Sequence, residues 1–271
     1  MRPIAALLLG VLALPAMAAD GAWPDLRADL FGKRVVLEAP DLVVLAHPGR
    51  SENDGRTVLG ADVTAPTGRG IVTVTLILDE NPMPVSTVLR FAAPQSHVRF
   101  DGTFRVNGPT PLHVVAEMED GGLIGAEGFV KTSGLGACAA PPGTDPVAAL
   151  ATLGEMAVAF SAAPDGGDGG GLAALEALRR HEVGLDLGIS HPSHSGMQMD
   201  QVTLLFTPMR YVETLEVALD GRPHVTVTGS ISLSENPELH LTVPEATRRA
   251  DVTLTDTDGT RTEASATRAG Y

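Results

Sequence analysis

Short runs of β-branched residues separated by turn residues constrain the fold of this chain more than any other feature. Residues 70–78 (GIVTVTLIL) alternate Val and Thr over the length of one sheet strand. The four residues that follow, 79–82 (DENP), favour a chain reversal because Asn and Pro are turn residues. Short strands with Gly and Pro in the turns indicate an antiparallel β-sandwich. Further strands of this sandwich are predicted at residues 85–91, 97–106, 112–118 and 123–131.

The second half of the chain returns to the same pattern. Asp220-Gly221 and Asp258-Gly259 are dipeptides typical of tight hairpins. Three leucines at a spacing of three, with good helix formers between them, predict one short helix over residues 172–180. We therefore predict an all-β protein with two sandwiches of similar size and one short helix in the second. The strands predicted for the second sandwich are residues 183–189, 202–206, 212–219, 224–232, 238–243 and 249–255.

A short linker is predicted between the two sandwiches. Residues 139–146 contain three prolines and one glycine, a composition typical of a linker rich in Pro, Gly and Ala. The first domain is therefore expected to span residues 26–142 and the second residues 146–271. The Asp- and Gly-rich residues 164–171 are expected to form an exposed loop inside the second domain.

The N-terminus has the three parts of a secretory signal peptide. Arg2 precedes an apolar run over residues 4–14, and Ala16-Met17-Ala18 supplies a small-x-small cleavage site. No later segment reaches the roughly 18 uninterrupted apolar residues of a membrane span. We therefore expect a signal peptide over residues 1–18, a mature chain in the periplasm and no insertion into the membrane.

The acidic composition indicates which classes of macromolecule the chain is expected to bind. The formal net charge is −14, and lysine occurs only at Lys33 and Lys131. Nucleic acid and anionic membranes are therefore not expected as partners. A basic protein such as a cytochrome is favoured instead.

Cys138 is the only cysteine of the chain. Exported proteins usually pair their cysteines, so a single one indicates a reactive thiol or an intermolecular bridge. Gly134 and Gly136 precede it and give the backbone wide freedom, as a flexible arm would need. The alternative is a packed thiol that behaves as a small apolar side chain.

Residues 191–199 raise the alternative of a metal site. His191, His194, Met197 and Met199 are ligands that a periplasmic copper ion would accept. The same residues also suit a strand-ending turn in which the methionines fill gaps in the packing. We favour the turn and expect no metal.

Catalytic residues are not expected in this chain. It has no G-x-S-x-G motif, so a hydrolase of that type has no support. Cys138 could in principle pair with His113 or His191, but a mobile thiol lacks the fixed oxyanion hole that such a nucleophile needs. We predict a protein that is not an enzyme and has no cofactor.

Several separated motifs resemble the SoxY and SoxZ families of sulfur carriers. Residues 76–84 (LILDENPMP), 114–122 (VVAEMEDGG) and 130–142 (VKTSGLGACAAPP) resemble SoxY. Residues 189–200 (ISHPSHSGMQMD) and 233–239 (LSENPEL) resemble SoxZ. Their order in one chain is similar to the fused SoxYZ-like carriers associated with quinoprotein dehydrogenases.

The resemblance implies a function for the cysteine. It implies two immunoglobulin-like sandwiches and a sulfur intermediate held covalently on Cys138 during oxidation of thiosulfate or sulfur. The partners it implies are periplasmic oxidoreductases or c-type cytochromes. The alternative is a non-covalent accessory module of a periplasmic quinoprotein (PQQ) dehydrogenase and its cytochrome. In SoxY the cysteine lies at the C-terminus in a GGCGG-type arm, whereas Cys138 is internal and followed by Ala139.

Overall fold

A computed structural model describes residues 21–134, 136–137, 150–162, 179–199 and 204–268 of the chain. The predicted signal peptide, Cys138, the predicted linker and most of the predicted helix at 172–180 lie outside these residues. We use "N-terminal half" for the described residues up to 137 and "C-terminal half" for those from 150 onward. None of the described helices is long and apolar enough to cross a membrane.

The N-terminal half contains one helix and eight strands within its described residues. They are α1 (Trp23–Phe31), β1 (Val36–Glu38), β2 (Val43–Ala46), β3 (Thr57–Thr64), β4 (Ile71–Leu78), β5 (Val85–Gln95), β6 (His97–Phe104), β7 (Thr110–Met118) and β8 (Leu123–Val130). The described part of the C-terminal half contains seven strands. They are β9 (Met156–Ser161), β10 (Glu182–Ile189), β11 (Val212–Leu219), β12 (Arg222–Thr228), β13 (Glu238–Pro244), β14 (Arg249–Asp256) and β15 (Arg261–Thr267).

The two halves share both of their sheets. One sheet has the order β1-β8-β7-β4-β5-β12-β11-β14-β15, and the other has the order β2-β3-β6-β13-β10-β9. The halves join where β5 pairs with β12 and where β6 pairs with β13, both antiparallel. We call these two strand pairs the seam. The sequence predicted two sandwiches that pack together, but it did not predict that their sheets are continuous.

The core lies between the two sheets and runs across the seam. Alternate residues of a strand point to opposite faces of the sheet, and Val74, Leu76 and Leu78 of β4 belong to the core cluster, whereas Ile77 is buried outside that cluster. Phe100 of β6 is 2 % exposed and pairs in register with Leu241 of β13. Full burial of an apolar side chain of this kind stabilises the fold by about 1.5–3 kcal/mol. The apolar contacts at the seam therefore hold the halves together as one body.

The structure confirms the all-β fold class and most of the predicted strands. Asp220-Gly221 joins β11 to β12, and both residues have positive φ (49° and 76°), as a type I′ hairpin requires. Asp258-Gly259 likewise joins β14 to β15. The predicted strand at 202–206 is wrong where it is described, because of residues 204–206 only Phe206 makes a bridge, to Met199.

Candidate functional site

The segment that leads to Cys138 leaves the first sandwich at the end of β8. We call its described residues, 131–134, 136 and 137, the arm root. Its first part continues the sheet pairing, since Lys131 forms a parallel bridge with Arg50 and accepts a 2.7 Å hydrogen bond from the Ser51 amide. The Arg50 guanidinium donates a 2.8 Å hydrogen bond to the Thr132 carbonyl. The arm root therefore starts as a firmly paired extension of the sandwich.

The carboxylate of Asp54 binds the next part of the arm root. It accepts hydrogen bonds from the Ser133 amide (2.7 Å), the Ser133 hydroxyl (2.9 Å), the Gly134 amide (3.1 Å) and the Gly136 amide (3.3 Å). Asp54 is 1 % exposed, so protein donors rather than bulk water satisfy its carboxylate. Burial alone would raise the pKa of the Asp54 carboxyl, but the hydrogen bonds from Ser133, Gly136 and Gly134 outweigh it and lower that pKa.

The two glycines of the predicted flexible arm have a defined conformation. Gly134 has φ +93° and Gly136 has φ +81°, both in the region that side chains with a Cβ rarely adopt. In this conformation the amides of Gly134 and Gly136 both donate to the same carboxylate oxygen of Asp54. The glycines therefore allow the chain to wrap around the Asp54 carboxylate. The flexibility of the arm stays a prediction.

Cys138 lies outside the described residues. The residue before it, Ala137, is 2 % exposed, so the described part of the arm root ends in a buried position. The environment of the thiol and its role as attachment point are therefore not tested by the structure, and they stay predictions.

A buried arginine connects this end of the N-terminal half to the C-terminal half. Asp54 accepts a 2.8 Å hydrogen bond from the Val106 amide through its backbone carbonyl. The neighbouring Arg105 is 4 % exposed, and its guanidinium donates to the carbonyls of Ser193 (2.7 Å) and Leu233 (2.6 Å). A buried charge must be satisfied by polar groups, and here the backbone of the C-terminal half supplies them.

The turn motif at 79–82 supplies a second link across the seam. The Asn81 side-chain amide donates to the Arg105 carbonyl (2.8 Å) and to the Ser232 hydroxyl (2.9 Å). Its side-chain oxygen accepts a hydrogen bond from the Asn107 amide (3.0 Å). Sequence reasoning identified Asn81 only as a turn residue, because nothing local reveals a partner 151 residues away in the chain.

Asp79 of the same motif forms a buried pair with His113. The Asp79 carboxylate lies 3.3 Å from His113 Nε2, and both side chains are at most 3 % exposed. Neither carboxylate oxygen of Asp79 has a hydrogen-bond partner among the described residues. The Trp23 ring of α1 stacks on His113 at 3.8 Å between centroids. The Trp23 ring therefore covers the imidazole of His113.

The first of the metal candidates, His191, faces the interior. Its ring is fully buried, and Nδ1 accepts a 2.9 Å hydrogen bond from the Ser193 amide. The other nitrogen, Nε2, lies 3.6 Å from the Asp256 carboxylate. Burial lowers the pKa of His191 to about 4, although the Asp256 charge acts in the opposite direction. Nδ1 is thus already occupied by the backbone.

The remaining metal candidates have different surroundings. His194 Nδ1 lies 2.9 Å from the side-chain oxygen of Gln198. Met197 and Met199 are 39 % and 44 % exposed. Within the described ranges, no group of three or more His, Cys, Asp or Glu side chains is placed to hold a metal ion. The segment follows β10 and forms isolated bridges from His194 to Arg210 and from Met199 to Phe206. Its methionines lie at the surface instead of filling gaps, and the absence of a metal stays a prediction.

Comparison with known families gives one match in each half of the chain. Residues 27–138 match the family model described as sulfur oxidation protein SoxY. Residues 176–267 match the model described as sulphur oxidation protein SoxZ. The two matches together cover most of the chain, and the first ends at Cys138.

Solved structures give more distant similarities. The sulfur carrier protein SoxY from Chlorobium limicola f thiosulfatophilum is 20% identical, with a TM-score of 0.32, over 41% of this chain and 90% of that chain. A superoxide reductase (neelaredoxin) from Ignicoccus hospitalis is 14% identical, with a TM-score of 0.30, over 36% of this chain and 95% of that chain. The curated proteins contain no match to this chain.

Proposed function

Because the chain belongs to the SoxY and SoxZ families of sulfur-oxidation carriers, joined in a single polypeptide, we propose that it holds a sulfur intermediate covalently on Cys138. The observation that carries this proposal is the position of the cysteine. Cys138 is the only thiol of the chain, and it is the last residue of the SoxY match. It directly follows the arm root, which Asp54 binds at the end of the first sandwich.

Ordinary thiol chemistry is sufficient for loading the carrier. The Cys138 thiolate attacks a sulfane sulfur of a polythionate such as tetrathionate, a new S–S bond forms, and thiosulfate leaves with the electron pair of the broken S–S bond. The product is a disulfide-linked thiosulfonate on the protein, and no further oxidant is needed. An unperturbed thiol has a pKa of about 8.5, so only a few per cent is thiolate near neutrality. We therefore assign activation of the thiol to a partner enzyme.

The proposal places the carrier in the periplasm, where oxidoreductases or c-type cytochromes would load it and remove its cargo. A predicted signal peptide at residues 1–18 supports export. The net charge of −14 supports association with basic partners.

The test is growth of the native host on thiosulfate with the chromosomal gene replaced by variants. Cys138→Ser is expected to abolish oxidation of thiosulfate, because a hydroxyl cannot form the S–S bond. Leu204→Ser, at an exposed position of the C-terminal half, is the control and is expected to leave the rate unchanged. A Cys138→Ser strain that oxidises thiosulfate at the wild-type rate would contradict the proposal.

The same strains separate the carrier from the alternative function. A non-covalent accessory module of a quinoprotein dehydrogenase does not need the thiol, so Cys138→Ser would support growth on an alcohol substrate as well as the wild type does. Surface changes in the C-terminal half, including Leu204→Ser, would then reduce growth. Loss of thiosulfate oxidation in Cys138→Ser, with an unchanged rate in Leu204→Ser, supports the carrier function.

A further inference from the structure

We propose that Asp54 is a positioning residue for the carrier cysteine. Its carboxylate holds the arm root in one conformation. This fixes the position and the direction of the chain just before Cys138. This inference rests on the proposed function, since it assigns Asp54 a role toward the thiol that carries the cargo. Asp54 does not itself touch the cargo.

The hydrogen bonds of Asp54 are concentrated on one short segment. All four described hydrogen bonds to its carboxylate come from residues between Ser133 and Gly136. Charge-assisted hydrogen bonds of this type are about twice as strong as neutral ones. A carboxylate that only closed its own loop would be bound by amides of that loop, as the Asp258 and Thr260 amides bind Asp256 within one hairpin turn. Asp54 instead binds a segment about eighty residues away in sequence.

The loop that carries Asp54 is itself fixed. The hydroxyl groups of Ser51 and Thr57 lie 2.6 Å apart and are buried, which closes the loop on both sides of Asp54. Arg56 donates hydrogen bonds to the carbonyls of Glu235 (2.9 Å) and Asn236 (2.8 Å) in the C-terminal half. The loop that carries the carboxylate is therefore held by contacts within the N-terminal half and, through Arg56, by contacts with the C-terminal half.

The geometry of the arm root depends on this anion. The positive φ angles of Gly134 and Gly136 turn their amides toward Asp54, and an added Cβ at either glycine would meet no atom within 4 Å. Packing therefore does not impose this conformation at the two glycines. Without the carboxylate, three amides and one hydroxyl lose their acceptor, and the segment is released without any change in the core.

The first measurement is amide hydrogen exchange at Ser133, Gly134 and Gly136 in the full chain. In Asp54→Asn the amide side chain keeps the size but loses the charge and one acceptor oxygen, so exchange at these three amides is expected to be about tenfold faster. Asp220→Asn is the matched control, because Asp220 also binds backbone amides but far from the arm root. Ser133→Ala removes one donor only and is expected to have a smaller effect in the same direction. Unchanged exchange in Asp54→Asn would overturn the proposal.

The second measurement is the reaction of Cys138 with N-ethylmaleimide, which is neutral and so does not respond to the lost charge directly. Release of the arm root is expected to change the rate constant by about threefold or more in Asp54→Asn and not in Asp220→Asn. Equal rate constants in Asp54→Asn and the wild type would overturn the role toward the thiol.

The third measurement is thiosulfate oxidation by the host carrying Asp54→Asn. A several-fold loss is expected in Asp54→Asn and not in Asp220→Asn, although both purified variants keep a reactive thiol and remain folded at the growth temperature, which a merely structural role would not produce. If the Asp54→Asn strain oxidises thiosulfate at the wild-type rate while the Cys138→Ser strain does not, the positioning role of Asp54 is overturned. The proposed carrier function is then still supported. If Cys138→Ser itself oxidises thiosulfate, the proposed function fails, while the exchange rates still decide whether Asp54 holds the arm root.

Discussion

The guanidinium of Arg105 donates a 2.6 Å hydrogen bond to the backbone carbonyl of Leu233, across the seam between the two halves. The two residues are 128 positions apart in sequence, and both are at least 96 % buried. A cation of the N-terminal half is thus solvated by the backbone of the C-terminal half. The fusion is therefore one folded body at this point rather than two domains connected only by a linker.

Replacement of Arg105 by Met is expected to lower the free energy of unfolding by about 2–4 kcal/mol, because the carbonyls of Ser193 and Leu233 lose their donor in a buried site. The measurement is urea unfolding followed by circular dichroism. Arg222→Met, at an exposed position, is the control and should change stability by less than about 0.5 kcal/mol. Equal stability of both variants would show that the Arg105 contacts contribute nothing to the seam.

His97 is expected to stabilise the seam most at acidic pH. Its ring lies between Asp62 (2.8 Å) of β3 and Glu182 (2.9 Å) of β10. Burial would lower the pKa of His97, but the hydrogen bonds and charges of Asp62 and Glu182 outweigh it and raise that pKa. The charge of Arg180, 2.6 Å from Nε2, opposes protonation and is likewise outweighed.

Because the pKa of His97 is raised in the folded protein, its stabilising contribution is fully present below the unfolded pKa of about 6.5. It is lost as the pH rises through the folded pKa. The difference in unfolding free energy between the wild type and His97→Gln should therefore decrease from pH 5.5 toward pH 9. A difference that is constant with pH, or that grows, would contradict the assignment. The measurement is urea unfolding at a series of pH values.

His191 is expected to have the opposite pH dependence. Its pKa is lowered to about 4 by burial, so between about pH 6.5 and pH 4 the unfolded chain binds a proton that the folded chain does not. The wild type should lose about 3 kcal/mol over this range from this group alone. His191→Gln removes the group, and its stability should decrease less steeply toward pH 4. Parallel pH profiles of the two proteins would contradict a buried neutral histidine.

Gly60 is expected to tolerate no side chain. An added Cβ would lie 2.1 Å from the Phe100 carbonyl oxygen and 2.6 Å from the Asp101 Cα, so β3 and β6 would have to separate. Gly60→Ala should destabilise the protein by about 1–3 kcal/mol, measured as a lower midpoint of thermal unfolding. Gly108→Ala is the control, because its Cβ would meet no atom within 4 Å. Equal midpoints for the two variants would contradict the close approach of the strands.

The local patterns in the sequence predicted most of the strands and both Asp-Gly hairpins. The alternation of β-branched residues in 70–78 and the Asp258-Gly259 dipeptide favour a structure through residues that are close in sequence. A strand and a hairpin could therefore be predicted from them. Strands β1–β3 and β9 were not predicted, although β3 is mostly buried. Strand β15 was implied by the Asp258-Gly259 hairpin but was given no bounds. The alternation of β3 is interrupted by Gly60 and Ala61, and its pairing with β6 lies about forty residues away.

The shared sheets and the Asp54 site could not be predicted because they depend on long-range pairing. No residue near β5 in sequence indicates that the side of β5 opposite β4 pairs with β12, so β5 could equally have been the edge strand of its sheet. Asp54 lies in an ordinary turn-like sequence, and only the fold brings its carboxylate to Gly134 and Gly136. Cys138, in contrast, was predicted as the attachment point from a contiguous SoxY-like motif, and this role stays a prediction.

The most direct test of the account is the intact mass of the protein isolated from its native host during growth on thiosulfate, measured with and without reductant. The account predicts a fraction of molecules heavier than the unmodified mature chain by sulfur atoms or a thiosulfate group. This fraction should return to the unmodified mass on reduction and be absent from Cys138→Ser. A population that carries only the free thiol, or the same adduct on the serine variant, would contradict covalent carriage on Cys138.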